Sequence, residues 1–245
     1  MTEGMLASNK ITKTTNKTSI RTAALIAGFS LLIMVIVAPF AELFAYPKLV
    51  VADNAAETIK NITVNKTLFL YVIFGYLLTF ICDIVVAWAL YILLKPVNEQ
   101  LSLLTALFRW IYTAIALIAL LNLVTVFRIL NTSDYSTVFQ PAQLNAQILL
   151  LLKSFKSSWY FGLIFFGIHL GLLGYLVVKS NYIPTILGVL LMITGLGYLL
   201  TTLRPYLFSN INIDFAKYTF YGELIFMLWL LIKGWRIKDA IHTAT

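Results

Sequence analysis

The apolar residues of this chain fall into long continuous blocks separated by short polar ones. The blocks run at about Thr22–Tyr46, Leu68–Leu94, Leu101–Leu130, Trp159–Val178, Ile183–Leu203 and Phe215–Ile232. Each reaches the ~18–20 residues a helix needs to cross a hydrocarbon layer. The apolar residues run on instead of alternating with period two, which predicts helices and not membrane β-strands. The second and third blocks exceed a bare span, so their helices are expected to tilt or to project into the interface. Trp159, Tyr160, Tyr182, Tyr198, Tyr206 and Trp235 lie near block ends, where interfacial aromatics belong. The first block is too long for a signal-peptide core and has no A-x-A site closing it, so it reads as a retained helix.

Residues 143–157 differ from the other blocks. Leu144, Ile148, Leu151, Leu152 and Phe155 recur at helical spacing, with Lys153 and Lys156 on another face. This predicts a short amphipathic helix lying in the interface ahead of the fourth span. An early start to that span fits the same residues. The expected fold is therefore an all-α polytopic bundle of about six transmembrane helices plus one short interfacial helix. Residues 1–21 and 237–245 are expected to be cytoplasmic tails flanking a single bundle domain over residues 22–236.

Composition agrees with that reading. Of the 245 residues 60% are hydrophobic and only 11% charged, and the mean hydropathy is +0.89. A soluble domain carries about 25% charged residues, and so few charges could not cover this much apolar side chain in water. The net charge of +8 sits mostly in tails and loops. It suits anionic lipid head groups and gives no basic, aromatic-interleaved nucleic-acid patch. The single cysteine, Cys82, lies in an apolar block without a disulfide partner and reads as a small buried side chain.

Orientation follows from the basic residues beside the helix ends. Lys10, Lys13, Lys17 and Arg21 precede the first block, Lys95 and Lys179 sit in tight hairpins, and Lys233, Arg236 and Lys238 close the chain. The opposite side has nearly as many, but diluted in longer loops with Asp53, Glu57, Asp134 and Asp214. Both termini are therefore expected on the cytoplasmic side. Tyr91-Ile-Leu-Leu-Lys95 and Tyr175-Leu-Val-Val-Lys179, each followed by a proline hairpin, form a faint internal repeat of the kind transporters contain. Chance similarity between apolar segments accounts for it equally well.

Several stretches together resemble one family. They are Arg21-Thr-Ala-Ala-Leu-Ile-Ala-Gly28, Ala41-Glu42, Thr58-Ile-Lys-Asn-Ile62, Leu90-Tyr-Ile-Leu-Leu-Lys-Pro-Val-Asn98, Phe108-Arg109, Phe165-Phe-Gly-Ile-His169 and Lys179-Ser-Asn-Tyr-Ile-Pro-Thr-Ile-Leu-Gly188. Over about residues 20–200 the chain is similar to the bacterial integral membrane proteins grouped as domain of unknown function 4386. The resemblance implies a multi-pass fold in a bacterial plasma membrane and no assigned activity. It transfers no catalytic residue.

The residues able to carry chemistry are the ionisable ones inside the blocks: Glu42, Asp83, Arg109, His169 and Glu223, with Asn122 as a further polar group. A charge at membrane depth costs ~2.5–3.5 kcal/mol or more and persists only when paired, hydrated or useful. Counted from the hairpin joining their helices, Asp83 lies roughly 18 Å and Arg109 roughly 12 Å along its helix, a difference the arginine side chain can largely span, which predicts an ion pair between spans two and three. It reads either as a structural clasp or as a gate, proton relay or anion site. Pro39 removes a backbone donor three residues before Glu42 and can free the Val35 carbonyl. Glu42 then lines a polar pocket or reaches the interface. Glu223 has Lys217 or Arg204 as possible partners. His169 lies within Gly167-Ile-His-Leu-Gly171, a spacing that lets helices approach closely, and Gly174 extends that small-residue face. A zinc site needs three or four ligands, so a lone membrane histidine predicts no metal.

No P-loop, HExxH, GxSxG, CxxC or dinucleotide fingerprint is present, so no cofactor is expected and an enzyme is disfavoured. Three function classes stay open. The first is translocation of a small solute, ion or proton through a polar intramembrane site. The second is a non-catalytic scaffold or regulatory partner, as a homo-oligomer or with another membrane protein at the Gly167–Gly174 face. The third is an intramembrane enzyme on a lipid-like substrate. The lipid bilayer is the expected surrounding of all three.

Overall fold

A computed structural model describes residues 18–132, 138–207 and 219–237. These residues are helical throughout apart from short connections. The expected tails lie almost wholly outside them. Helix α1 spans Ile20–Pro39 and is capped by Ser19, whose Oγ accepts from the Thr22 amide at 3.1 Å. Pro39 does not end it. The chain absorbs the missing donor in a π-helical turn, Phe40–Ala45, and continues as the short α2, Tyr46–Leu49.

A ten-residue helix α3, Ala55–Val64, follows. Its start carries a capping signal in the sequence: Asn54 and Glu57 form a reciprocal cap, with Asn54 Oδ1 accepting the Glu57 amide at 3.0 Å and Asn54 Nδ2 donating to Glu57 Oε2 at 2.9 Å. Four long helices come next: α4 Lys66–Leu94, α5 Glu99–Asn131, α6 Pro141–Lys179 and α7 Thr185–Leu207. Helix α8, Tyr221–Lys233, and a 3-10 turn at Gly234–Arg236 complete the described chain.

Among the described residues five segments are long and apolar enough to cross a membrane: Ile20–Leu49, α4, α5, α6 and α7. The chain is an all-α membrane-embedded bundle. Of the sixth expected span, Phe215–Ile232, residues 215–218 lie outside the described part. The described helix has 13 residues, roughly 20 Å at 1.5 Å per residue, which is shorter than a full crossing. It nonetheless returns to the end where α1 begins, since Gly234 stands against Ala24.

The amphipathic segment is not a separate interfacial helix. Residues 143–157 form the first turns of the 39-residue α6, because no glycine or proline interrupts the sequence between Pro141 and Gly162. Its apolar face, Ile148, Leu152 and Phe155, is buried in the bundle core. Lys153 points outward to Asp53 at 2.8 Å, both side chains being exposed. The hydrogen bond from Lys153 holds the Asp53 carboxyl below its usual range. Such a group stabilises the fold above its unfolded value of ~3.9 and loses that contribution as pH falls through the folded value. Solvent screens so exposed a pair. Lys153→Gln is therefore expected to leave the thermal midpoint at pH 7 unchanged in a detergent melt. A drop of several degrees would show that this pair anchors the α2–α3 segment to α6.

Helices α4 and α5 form one tight hairpin, in which Asn98 Oδ1 caps the Leu101 amide at 2.9 Å. Helices α6 and α7 form a second, turning through Ser180 to Pro184. Tyr182 ties the two hairpins together by donating to the Leu93 carbonyl at 2.6 Å. Helix α1 lies across α4 and α8 on a face of small residues, Ala23, Ala24 and Ala27, all fully buried.

Candidate functional site

Asp83 lies 11 residues before Leu94, Arg109 ten after Glu99, and His169 ten before Lys179. All three ends are at the same pole of the bundle. The three side chains therefore stand roughly 15–17 Å in, about half of a ~30 Å hydrocarbon layer. Each sits on the inward face of its helix: Asp83 with Tyr76, Thr79 and Phe80, Arg109 with Thr105, Tyr112 and Thr113, and His169 with Phe166 and Leu170.

Arg109 is the centre of this group and is fully buried. Its Nε donates to Asp83 Oδ1 at 2.8 Å, and Nη2 lies 2.6 Å from the same oxygen without a well-directed hydrogen bond. Its Nη1 donates to Glu223 Oε1 at 3.1 Å and to His169 Nε2 at 3.3 Å. His169 donates from Nδ1 to the Thr105 carbonyl at 2.8 Å. With a carbonyl on Nδ1 and a guanidinium facing Nε2, the imidazole is the neutral Nδ1–H tautomer. The guanidinium also lies 5.1 Å from the Phe166 ring centroid. Two carboxylates thus share one cation, and with both ionised the network carries one net negative charge.

A second network stands nearer the opposite pole. Glu42, in the π-helical turn, is paired with Lys156 and accepts from the Tyr76 hydroxyl. The Lys156 ammonium sits among aromatic rings, 4.3 Å from the centroid of Tyr46, 5.2 Å from Trp159 and 5.7 Å from Phe155. Glu42 makes both contacts from within the π turn.

One cavity of about 800 Å³ joins the two networks. Glu42, Asp83 and Glu223 all line it, with Tyr112, Trp159, Phe166, Tyr198 and Phe220 as its aromatic wall and Thr79, Thr201 and Thr202 as hydroxyls. Trp159 Nε1 donates to the Tyr112 hydroxyl at 3.0 Å, so these two wall residues are fixed by each other. Asp83 and Glu223 mark the mid-depth floor. Tyr160, Phe161 and Tyr206, which are exposed, mark the mouth.

The structure thus brings Asp83, Arg109, His169 and Glu223 into one network and places Glu42 apart from them on the same cavity. Arg109 and His169 do not line the cavity and stand behind its floor. Glu223 is paired with Arg109 and not with Arg204, and Lys217 lies outside the described residues. Asn122 is turned back on its own helix, donating to the Ala119 carbonyl at 2.9 Å. Gly167 and Gly174 lie in the α6–α7 seam, whereas a Cβ on Gly171 would meet nothing within 4 Å. Lys156 was missed as a site residue. A lysine on a polar helix face reads as solvated, and its partner Glu42 stands in the π turn, for which the sequence carries no signal beyond Pro39.

Residues 26–234 match the family described as Domain of unknown function (DUF4386). The chain belongs to the DUF4386 family. The match includes every residue of both networks and runs past about residue 200, where the resemblance read from the sequence stopped. An uncharacterized protein of Archaeoglobus fulgidus is 38% identical to this DUF4386 protein over 174 residues, covering 71% of this chain and 90% of that one. No solved structure matches.

Proposed function

We propose that this DUF4386 protein translocates a small solute across the bilayer through the carboxylate-lined cavity. The observation that supports it is the joining of three intramembrane carboxylates, from three different helical segments, by one 800 Å³ space that reaches a mid-depth ion network. A cavity of this size suits a small molecule. Charges placed at such depth along an open space are the usual mark of a pathway. The Arg109 network is a suitable closed gate. Its bonds come from α4, α5, α6 and α8, so separating those helices exposes the site to the other side. The alternative of a scaffold for a partner helix has less support, because Gly167 and Gly174 are packed within the chain itself. We place both termini on the cytoplasmic side, with the cavity mouth facing outward.

The test does not need the solute. In a Cys82→Ala background, Thr201→Cys puts one thiol on the cavity wall. A membrane-impermeant maleimide is expected to label it in both right-side-out and inverted vesicles, because an alternating site visits both faces. Labelling from one face only, under every ion and pH condition tried, would overturn translocation.

A further inference from the structure

The charge arithmetic of the cavity leads to the class of its ligand. In the two networks three carboxylates, Glu42, Asp83 and Glu223, meet two cations, Arg109 and Lys156. The surplus falls on the mid-depth side, where Asp83 and Glu223 share Arg109. Among the described residues no further cation pairs with them, and an uncompensated charge at that depth is expensive, so the site as described is complementary to one positive charge. Glu223 is the member able to offer it: its side chain is 20% exposed, against 1% for Asp83, and its bond to Arg109 uses Oε1. A metal ion is poorly suited, since among the described residues no three His, Cys, Asp or Glu side chains stand close enough to hold one. The wall near Glu223 is aromatic instead, with Tyr198 packed against Phe166 at 5.1 Å and Phe220 at 4.5 Å between ring centroids.

A second observation points the same way. At the other end of the same cavity the chain already seats an organic ammonium of its own. Lys156 rests against Glu42 within a cluster of rings, and one of those rings, Trp159, is also part of the cavity wall. Carboxylate plus aromatic faces is the chemistry that recognises alkylammonium groups.

We propose that the cavity binds an organic monocation with an apolar body, such as a protonated amine. The charged end rests on Glu223 and the body lies against Trp159, Phe166 and Tyr198. This names the ligand class of the translocation reading and rests on it for its biological sense. Binding is measured separately, so the two can fail independently.

The experiment is calorimetric titration of the protein in nanodiscs of zwitterionic lipid, with empty nanodiscs as the blank. Three probes share a phenyl body: 2-phenylethylammonium, neutral 2-phenylethanol and anionic 3-phenylpropionate. The cation is expected to bind about tenfold or more tightly than either of the others, as a charged hydrogen bond in a dry site allows. Glu223→Gln is expected to remove that preference and leave the weak binding of 2-phenylethanol in place, which also shows that the variant is folded. Equal affinity for cation and alcohol in the wild type, preference for the anion, or no binding of any probe would each overturn the proposal. Cation binding without two-sided labelling at position 201 would retain the ligand class and remove translocation.

Discussion

Arg109→Met is expected to destabilise the protein by about 3–5 kcal/mol, the usual consequence of removing one partner from a buried ion network. The loss arises less from the missing bonds than from what stays behind. Asp83 and Glu223 would remain at mid-depth with no cation, and His169 Nε2 would lose its donor. Methionine fills much of the vacated volume, so a cavity term contributes little. The readout is a thermal melt in mild detergent, in which the variant is expected to unfold well below the wild type or to aggregate on extraction. The control that assigns the cause is the triple variant Asp83→Asn, Arg109→Met, Glu223→Gln. It removes all three charges together and is expected to recover most of the stability, because a buried network exchanged for neutral groups of similar size is often close to neutral. Arg109→Lys separates charge from shape. It keeps the cation but loses the fork that reaches α4, α6 and α8 at once, so an intermediate loss is expected. A wild-type-like melt for Arg109→Met would mean that water fills the network, and the mid-depth site would then be wet.

Much of this arrangement was legible in the sequence, and the limits have physical causes. The Asp83–Arg109 pair could be placed because both residues are counted from one tight hairpin, and helical rise converts that count into depth. His169 lay at the same depth by the same counting. It was read alone because depth does not fix the angular position of a side chain around its helix. Glu223 had no such anchor, since no short hairpin ties α8 to α4 or α5, and nearby Arg204 and Lys217 looked like sufficient partners. Lys156 was hidden by its amphipathic setting: three residues earlier Lys153 is solvated, and only about 60° around the helix axis separates the surface lysine from the caged one. The merging of the 143–157 segment into α6 was available from the absence of a breaker before Gly162. The alternation of lysines argued for an interface helix and outweighed it.

Gly174→Ala is expected to destabilise the bundle by about 1–3 kcal/mol, as overpacking does, while Gly171→Ala, one turn away, is neutral or slightly stabilising. The two positions share a helix, a residue type and a spacing, so helix propensity acts equally on both and favours alanine by ~1 kcal/mol. The difference lies across the seam. A Cβ on Gly174 would stand 2.5 Å from the Gly188 carbonyl oxygen and 2.9 Å from the Met192 amide nitrogen. Those are backbone atoms of α7 and cannot rotate aside, so the helices must separate. A Cβ on Gly171 would meet nothing within 4 Å. The seam is reciprocal, because a Cβ on Gly188 would stand 2.5 Å from the Gly174 carbonyl. Once the first methyl has forced the helices apart the second should add little, and the double variant Gly174→Ala, Gly188→Ala is expected to fall short of the sum of the singles. The displacement also has a functional reading. His169 lies on α6 five residues before Gly174, and Tyr198 lies on α7 beside the cavity. Moving α7 off α6 therefore shifts the cavity wall against the network that forms its floor. Gly174→Ala is expected to weaken 2-phenylethylammonium binding together with thermal stability, and Gly171→Ala to change neither. Equal melts for the two alanine variants would mean that the α6–α7 seam has the freedom to open, and the close glycine contact would then be incidental to the site.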